Sequence, residues 1–360
     1  MKIKNITNIF KNKKILITGN TGFKGSWLSL WMISIGAKVY GYSKNIPTRP
    51  SLYRSLNLEK HIIQTYADIR NKKKLKKKIL QIKPDFIFHL AAQSIVKDSY
   101  ENPSYTWETN TFGTINLIEA FKDLKNKCVA VLITSDKSYK NLELKRGYSE
   151  DDILGGKDPY SASKASADIA IYSYINSYFL NNKNVKIATA RAGNVIGGGD
   201  WSKDRLVPDC MNSWSKGKKI LIRNPKSTRP WQNVLEALSG YLFLAYNLKK
   251  NDKFHGEVFN FGPNTKSNYS VLHILNYIKR RLPNFEWMVK SNKKKFFESK
   301  LLKLNCNKAL KKLKWKSVLN IHEIVEYLTS WYDSYYKKID MFNFSINQIK
   351  KFEKILEKKL

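Results

Sequence analysis

A tyrosine and a lysine stand four residues apart in the stretch DPYSASK, as Tyr160 and Lys164. On a helix this spacing places both side chains on one face, one turn apart. A phenol beside an ammonium group can act as a general base toward an alcohol, because the positive charge favours the phenolate. The pair alone is weak evidence, since Y-x-x-x-K arises by chance in a Lys-rich chain. Its meaning depends on the residues around it.

A second polar set, TSDK, ends an apolar run upstream of this pair and contributes Ser135, Asp136 and Lys137. If the run is a buried strand and DPYSASK opens the following helix, these side chains and the pair converge at one edge of a sheet. Ser135 can then hydrogen-bond the oxygen from which Tyr160 removes a proton. The predicted catalytic residues are Ser135, Asp136, Lys137, Tyr160 and Lys164.

A glycine-rich stretch, LITGNTGFKGSW, follows the first apolar run. Gly19, Gly22 and Gly25 lie between a predicted strand and a predicted helix, where glycine permits a tight turn and close approach of the backbone to a pyrophosphate. The helix N-terminus adds N–H groups and the positive end of a dipole. This context predicts a dinucleotide-binding loop, although its G-x-x-G-x-x-G spacing departs slightly from G-x-G-x-x-G. With Tyr160 and Lys164, it predicts hydride transfer to a nicotinamide.

Other residues expected at the cofactor follow the ends of the predicted strands. The acidic residue that usually binds the ribose hydroxyls is absent, and Ser43 and Lys44 occupy its place, so this position leaves both NAD and NADP open. Asp68 either contacts the adenine or caps the next helix, whereas His89 is expected in the core. With NAD as the cofactor, the predicted binding residues are Gly19, Gly22, Phe23, Lys24, Gly25, Ser43, Asp68, Ile69, Leu90, Ala91, Ala92, Tyr160 and Lys164.

Strands and helices alternate through the first half of the chain. Such alternation is typical of βαβ units, and near-continuous apolar strands are typical of a parallel sheet covered on both faces. We expect an α/β fold, a doubly wound parallel (Rossmann) sheet with a smaller interleaved α/β substrate domain. The predicted strands lie within 13–19, 37–43, 65–70, 85–92, 128–136 and 185–197, and the predicted helices at 26–36, 71–83, 102–124 and 160–179.

After residue 195 the alternation gives way to loops rich in Gly, Pro, Trp and Arg, and it resumes near residue 234. This shift in composition suggests that the chain leaves the first domain and returns to it. We assign 1–194 and 234–262 to the NAD-binding domain, 195–233 and 263–335 to the substrate-binding domain, and 336–360 to a C-terminal helical tail.

The chain has 360 residues with a net charge of +36, mostly from lysine, and 42% hydrophobic residues. The composition is globular. We interpret the lysines as solvated faces, with runs at 71–78 and 292–296, in preference to a polyanion-binding surface. A non-catalytic RNA-associated Rossmann protein would explain the charge, but it would leave Tyr160, Lys164 and Asp136 without a role.

Targeting and metal signals are weak. No apolar run reaches the length of a membrane span, and the N-terminus has no apolar segment with a cleavage site. The three cysteines, Cys128, Cys210 and Cys306, form neither a metal pattern nor an obvious disulfide set, which fits a reducing compartment. We expect a cytoplasmic protein with no metal.

Longer motifs resemble the extended short-chain dehydrogenase/reductases, in particular their nucleotide-sugar epimerase and dehydratase group. The likeness runs over residues 13–262, with a weaker continuation to about 335. Ser138 and Tyr148 are modest departures within otherwise familiar runs. The segments that carry it are GNTGFKGSWLSLW, PTRPSLY, HLAAQSIVKDSYENP, TSDKSYKN, DPYSASK, RAGNVIGGGDWSKDRLVPD and RNPKSTRPWQNV.

The resemblance implies a 4,6-dehydratase reaction on a nucleotide sugar, with CDP-D-glucose as the expected substrate. C4 is oxidised by NAD⁺, water is lost across C5–C6, and the hydride returns to C6. The product is a precursor of dideoxy sugars in surface polysaccharides. The cytosine base rests on the resemblance alone. A 4-epimerase on the same fold is the rival reading, but an epimerase needs no acid–base pair such as Asp136 and Lys137.

The same resemblance implies residue roles. Tyr160 is the base at C4, Lys164 its partner, and Asp136 the acid that protonates the departing C6 hydroxyl. Lys137 stands where dTDP-glucose dehydratases have the glutamate that removes the C5 proton. It acts either as a neutral base or as a cation that stabilises the enolate while a water takes the proton.

Substrate contacts and assembly are also implied. Arginine suits a diphosphate because its fork donates two bonds, although Arg205 and Arg229 could instead tie down their loops. A homodimer is expected through the helices at 102–124 and 160–179. The predicted substrate-binding residues are Gln93, Asn194, Arg205 and Arg229.

Overall fold

The structure is a computed structural model that describes residues 3–144, 146–222, 224–263, 269–289 and 302–360. Short strands alternate with helices along most of the chain, as βαβ units require. The strands are β1 Lys14–Thr18, β2 Lys38–Ser43, β3 Ile63–Tyr66, β4 Phe86–His89, β5 Cys128–Ile133, β6 Val185–Ala192, β7 Ile220–Ile222, β8 Thr228–Arg229, β9 Val258–Phe261, β10 Tyr269–Ser270 and β11 Trp287–Val289.

The helices include two that continue through π-helical turns. Glu108–Phe112 joins α6 to α7, and Ile175–Phe179 extends α8. The α-helices are α1 Ile3–Thr7, α2 Phe23–Ser34, α3 Leu52–Ser55, α4 Lys72–Ile82, α5 Val96–Glu101, α6 Pro103–Trp107, α7 Gly113–Phe121, α8 Pro159–Tyr174, α9 Leu206–Trp214, α10 Val234–Lys250, α11 Val271–Lys279, α12 Ile321–Tyr336 and α13 Met341–Lys359.

A seven-stranded sheet, in the order β3-β2-β1-β4-β5-β6-β9, forms the centre of the molecule, and all neighbouring strands are parallel. Successive side chains of a strand face opposite sides. In β1, Ile15 and Ile17 join the apolar cluster that contains α2 and α10, whereas Leu16 joins the cluster that contains α4 and α7. The predicted doubly wound fold is therefore confirmed. The third strand begins at Ile63, two residues before the predicted stretch.

The loop-rich part of the chain forms two small sheets, β8 with β10 and β7 with β11. Long-range hydrogen bonds hold in place the first loop of this part, which contains Gly198 and Asp200. The indole of Trp27 donates to the carbonyl of Gly198 over 3.0 Å, and the Tyr332 hydroxyl donates to the carbonyl of Asp200 over 2.6 Å. The lysine run 292–296 and parts of the predicted substrate domain lie outside the described residues, so the domain division stays a prediction.

The helix predicted near the C-terminus begins at Met341, because Asp340 accepts hydrogen bonds from the first amides and caps it. This helix, α13, packs against α2. Trp31 of α2 donates to Glu353 over 2.9 Å, and its ring meets the edge of Phe352 at 5.9 Å. Within the described ranges, the helices are too short or too polar to cross a bilayer.

Candidate functional site

The loop between β1 and α2 has a backbone that requires glycine at two positions. Gly19 has a φ of +74°, and a Cβ there would lie 2.7 Å from the backbone nitrogen of Ala91. A Cβ at Gly25 would lie 2.1 Å from the carbonyl oxygen of Gly19. The loop is thus pressed against the end of β4 and against the first turn of α2. It leaves the amides of that first turn, from Phe23 onward, open toward an anion.

The end of β2 holds a polar set that the sequence did not predict. Asn20 is fully buried, accepts a hydrogen bond from Ser43 Oγ at 2.7 Å, and donates to Gln64 Oε1 at 2.7 Å. Ser43 therefore lies at the predicted cofactor position, but its hydroxyl is engaged with Asn20. The only sequence signal for Asn20 was its place inside the glycine loop.

Asp68 follows β3, as predicted, and its carboxylate accepts two hydrogen bonds from the Arg70 guanidinium, at 2.9 and 3.1 Å. Lys44 lies 3.6 Å away. Burial alone would raise the pKa of Asp68, but the hydrogen bonds and charge of Arg70 outweigh it, so the pKa is lowered. The helix N-cap belongs to Asn71, so the alternative role of Asp68 as that cap is wrong. Ile69 is buried beside Gly113.

The loop after β4 lies beside the glycine loop. Leu90, Ala91 and Ala92 are partly exposed there, which leaves them accessible to a bound cofactor. Gln93 is nearly buried, and its side-chain amide is bound to the backbone of Ile95, at 2.8 and 3.1 Å. A direct contact between Gln93 and a substrate would therefore compete with a bond that shapes its own loop.

The polar set after β5 is compact. Ser135 Oγ donates to Asp136 Oδ1 over 3.0 Å and accepts from the backbone N–H of Lys137 at 3.2 Å. Burial raises the pKa of Asp136, although the charge of Lys137 and the hydrogen bond from Ser135 oppose the shift. Burial thus favours the protonated form of this carboxyl group, the form that can act as an acid.

Tyr160 and Lys164 lie on α8, whose N-terminus is capped by the Asp158 carboxylate. Lys164 Nζ donates to the carbonyl of Ile133 over 3.4 Å, and burial lowers the pKa of Lys164 to about 8 while Asp168 opposes this shift. Burial raises the pKa of Tyr160, and a hydrogen bond with Ser135 acts in the other direction. Among the protein's own groups, burial has the largest effect and the pKa of Tyr160 is raised; the lowering expected from Lys164 together with a nicotinamide charge stays a prediction.

Lys137 is the last of the five predicted catalytic residues, which the sequence predicts to lie close together. Its Nζ lies 5.9 Å from the centre of the Tyr160 ring, and its side chain is partly exposed. The structure therefore brings Ser135, Asp136, Lys137, Tyr160 and Lys164 to the same edge of the sheet, at the carboxyl ends of β5 and its neighbours.

Lys24 was predicted at the cofactor, and its ammonium reaches toward this group. Its Nζ lies 3.5 Å from the carbonyl oxygen of Gly193. Burial and the charge of Arg205 lower the pKa of Lys24 to about 8, while Asp136 opposes them. Gly193 also lies against Asp136, because a Cβ at Gly193 would lie 3.1 Å from Asp136 Oδ2.

The remaining residues predicted to contact a substrate lie in the loop-rich part. Asn194 is exposed just after β6. Arg205 forms an ion pair with the buried carboxylate of Asp200 at 3.2 Å, so it does tie down its loop. It also influences the pKa values of Lys24 and Tyr160, which places its charge near the catalytic group. Arg229 lies in β8, and its guanidinium donates to the carbonyl of Thr228 over 2.8 Å.

A buried polar network below the catalytic group was missed by the sequence analysis. Arg191 of β6 pairs with Asp168 at 3.3 Å and donates to the Tyr139 hydroxyl over 2.9 Å. Tyr139 in turn donates to Asn260 over 2.8 Å. The network anchors the chain that follows Ser135. An arginine within the apolar run VKIATARAG was the available signal.

His89 lies in the core, as predicted. Its ring nitrogens are 2.7 Å from the Thr18 hydroxyl and 3.1 Å from the Thr114 hydroxyl. Burial, with a smaller contribution from the charge of Lys164, lowers the pKa of His89 to about 3, so the ring is neutral at physiological pH. His89 links β4 to β1 and α7 and takes no direct part in the site.

Comparison with known proteins gives a consistent result. Residues 16–328 match the family model described as GDP-mannose 4,6 dehydratase. The chain is 40% identical to the CDP-glucose 4,6-dehydratase of Salmonella typhimurium, over 93% of this chain and 94% of that protein. It is 27% identical to the CDP-paratose 2-epimerase of Salmonella typhi, over 74% of this chain and 83% of that protein.

Solved structures show the same fold at lower sequence identity. The epimerase Mth375 of Methanothermobacter thermautotrophicus has a TM-score of 0.79 with 21% identity, over 93% of this chain and 96% of that one. The dTDP-glucose 4,6-dehydratase of Bacillus anthracis, solved in complex with NAD, has a TM-score of 0.72 with 20% identity, over 92% of this chain and 99% of that one.

Proposed function

The chain belongs to the GDP-mannose 4,6-dehydratase family, and on that premise we propose that it is a CDP-D-glucose 4,6-dehydratase. It converts CDP-D-glucose to CDP-4-dehydro-6-deoxy-D-glucose and water. The observation that carries the proposal is the buried Asp136 carboxyl group, whose pKa is raised and which contacts Ser135 beside Tyr160. A dehydratase needs such an acid to expel the C6 hydroxyl, whereas a 4-epimerase does not. The 40% identity to a CDP-glucose 4,6-dehydratase supports the nucleotide.

The proposed cofactor is NAD, and the residues fit it. The glycine loop and the open first turn of α2 are suited to the pyrophosphate, and Lys164 would hold the nicotinamide ribose. The chemistry that a bound NAD⁺ would supply is uptake of the hydride from C4, its return to C6, and a positive charge that would favour the Tyr160 phenolate.

The protein's own groups then divide the proton transfers. Tyr160, as phenolate, removes the proton of the C4 hydroxyl while Ser135 holds the same oxygen. The resulting ketone acidifies the hydrogen at C5. Asp136 donates its proton to the departing C6 hydroxyl, which leaves as water. Lys137 acts at C5, either as the base or as the cation that stabilises the enolate while a water accepts the proton.

Substrate recognition is proposed to fall on Arg205, Arg229, Asn194 and Gln93. Arg205 suits a diphosphate because its fork can contact phosphate oxygens while one nitrogen stays with Asp200. Since its charge already reaches Lys24 and Tyr160, it is placed to join nucleotide recognition to catalysis.

We further propose a cytoplasmic homodimer that assembles through the π-interrupted helix of α6 and α7 and through α8. Large apolar side chains are exposed along these helices, among them Phe112, Ile169, Tyr172 and Tyr178, with Tyr172 68% exposed. An isologous contact would cover them. Both proposed ligands are cytoplasmic metabolites, and the product belongs to the class from which deoxy sugars of surface polysaccharides are made.

The test is incubation of the purified protein and NAD⁺ with CDP-, dTDP-, GDP- and UDP-glucose, in separate reactions. The expected result is a 4-keto-6-deoxy product, seen by its absorbance in alkali, from CDP-glucose at the highest rate, with NAD⁺ needed only in catalytic amounts. Accumulation of one NADH per product would indicate a simple dehydrogenase. Inversion at C4 without loss of water would indicate an epimerase.

A further inference from the structure

The proposed dehydratase cycle, on which this inference rests, does not return its acid and its base to their starting states. Tyr160 begins as a phenolate and ends as a phenol, because it has taken the proton of the C4 hydroxyl. Asp136 begins as an acid and ends as a carboxylate, because its proton has left with water. C5 loses one proton and regains one, so it adds nothing to the net balance, and the hydride removed from C4 arrives at C6. One proton must therefore move from Tyr160 to Asp136 in each turnover.

Ser135 lies between these two groups. Its Oγ is 3.0 Å from Asp136 Oδ1, to which it donates, and it lies close enough to the Tyr160 hydroxyl to lower the pKa of that phenol. A serine hydroxyl has one proton to donate and two lone pairs that accept. The backbone N–H of Lys137, at 3.2 Å, uses one lone pair. The second lone pair is then available to the Tyr160 O–H, so the contacts form a chain that runs from the phenol to the carboxylate.

Exchange of protons between these groups and bulk water is restricted by comparison. Ser135 and Asp136 are each only 5% exposed. The second oxygen of Asp136 faces Gly193, where the backbone comes so close that a Cβ would lie 3.1 Å from Oδ2. Lys24 Nζ also contacts the carbonyl oxygen of Gly193, at 3.5 Å. A substrate in the cleft would restrict water further.

We propose that Ser135 is the bridge that resets the site between turnovers. The O–H bond of Tyr160 breaks as its proton bonds to Ser135 Oγ, and the O–H bond of Ser135 breaks as its proton bonds to Asp136 Oδ1. Ser135 keeps one proton throughout, the phenolate and the carboxylic acid are restored, and no oxidant or reductant is consumed. Ser135 therefore acts twice in each cycle, first in holding O4 and then in carrying the proton back.

The surroundings of Asp136, which receives the proton, favour its protonated form. Burial raises the pKa of Asp136, so the acid form is favoured there. At the donating end, burial and the charge of Asp136 raise the pKa of Tyr160, while the hydrogen bond with Ser135 and the charge of Arg205 oppose that rise. The hydrogen bond with Ser135 therefore favours the phenolate, whereas burial disfavours it.

The experiment compares the native enzyme, Ser135→Ala and Ser135→Thr, each loaded with NAD⁺ and mixed rapidly with CDP-glucose. Product is measured in the first and in later turnovers, in weak buffer and with increasing imidazole. Removal of the hydroxyl also weakens the hold on O4, so the first turnover of Ser135→Ala is slowed. The reset predicts a further effect, in which its later turnovers are at least about tenfold slower than its first.

Imidazole can carry protons between water and a buried group, so it should accelerate the later turnovers of Ser135→Ala and leave its first turnover unchanged. A pH-indicator dye should record release and then uptake of about one proton per site in this variant. Ser135→Thr keeps a hydroxyl and should retain the native ratio of later to first turnovers, with no dependence on imidazole.

Equal first and later rates in Ser135→Ala, or a native turnover rate that rises with imidazole, would overturn the bridge. So would the release of about one proton per site by the native enzyme in its first turnover. The amount of 4-keto-6-deoxy product formed by the native enzyme in the same mixtures tests the proposed function separately. Its absence would reject the dehydratase reaction and the reset with it, whereas its presence with solvent-dependent turnover would reject the reset alone.

Discussion

The loop at Gly19–Gly25 is proposed to bind the cofactor, and the loop at Gly197–Arg205 is proposed to bind the substrate. The first is short and joins β1 directly to α2, and its tightest packing is between its own backbone atoms, at Gly25 against Gly19, although Asn20 also bonds Gln64. The second takes its shape from distant residues, since Trp27 donates to Gly198 and Tyr332 to Asp200. A binding loop can thus be defined locally or by remote support, and the two kinds should respond differently to substitution.

The largest expected effect is on the locally defined loop. Gly25→Ala would place a Cβ 2.1 Å from the backbone of Gly19, and a backbone atom cannot rotate away. We expect a loss of about 3 kcal/mol or more in the free energy of unfolding, with loss of NAD⁺ retention. The checks are denaturant unfolding and the cofactor content of the purified protein.

Gly22→Ala is the matched control, because its added Cβ would meet the same oxygen at 3.4 Å, an ordinary contact, at a φ of −78°. Its free energy of unfolding should stay within about 1 kcal/mol of the native value. Comparable stability and cofactor content in the two variants would show that the loop is not defined by its local backbone.

Substitution of a catalytic residue should leave the binding of NAD⁺ and of CDP-glucose intact. Tyr160→Phe keeps the ring and removes the proposed base, so we expect at least about 10³-fold slower reduction of NAD⁺ on mixing with CDP-glucose. Cofactor content and substrate affinity should stay close to native. Rapid appearance of reduced nicotinamide in this variant would assign the C4 base to another residue.

Lys137→Ala should separate the first half of the reaction from the second. It should reduce NAD⁺ with CDP-glucose but form product about 100-fold more slowly, with little exchange of deuterium into C5. Lys137→Arg keeps the charge and does not serve as a base near neutral pH. Recovery of product in the arginine variant would favour the enolate-stabilising cation, and turnover of the alanine variant at the native rate would make Lys137 merely structural.

The smallest expected effect is on the loop with remote support. Tyr332→Phe removes the hydrogen bond to Asp200, which is worth about 1 kcal/mol, and should raise the KM for CDP-glucose about fivefold while cofactor retention is unchanged. Tyr327→Phe, on the same helix, removes a buried hydroxyl that lacks a hydrogen-bond partner within the described ranges and should leave KM unchanged. Equal KM values in the two variants would mean that α12 does not support the substrate loop.

The same contrast explains how much could be predicted from the sequence. The strands β1 to β6, α2 and α8 were predictable to within a few residues, because apolar runs, glycines and the cap at Asp158 act on neighbouring residues. The glycine loop was predictable for the same reason. Its φ of +74° at Gly19 is a property of one residue and its immediate chain.

The parts that were missed depend on residues far apart in the chain. Asn20 meets Gln64 across 44 positions, and Arg191 meets Tyr139 across 52. Nothing in the local sequence of either member identifies the other. The burial that raises the pKa of Tyr160 could not be predicted for a related reason, since burial is produced by the whole fold and not by the neighbouring residues.

The contact between α13 and α2 has a consequence for biosynthesis. Trp31 and Glu353 are 322 positions apart, so a ribosome must translate nearly all of the described chain before the outer face of α2 is covered. Trp31 is fully buried in the folded protein. Until α13 has been synthesised, part of the packing around its side chain is missing. The residues of the proposed dinucleotide site, at the other end of α2, are therefore synthesised early, but their supporting contacts form late. A nascent chain should acquire its affinity for NAD only after α13 has emerged from the exit tunnel.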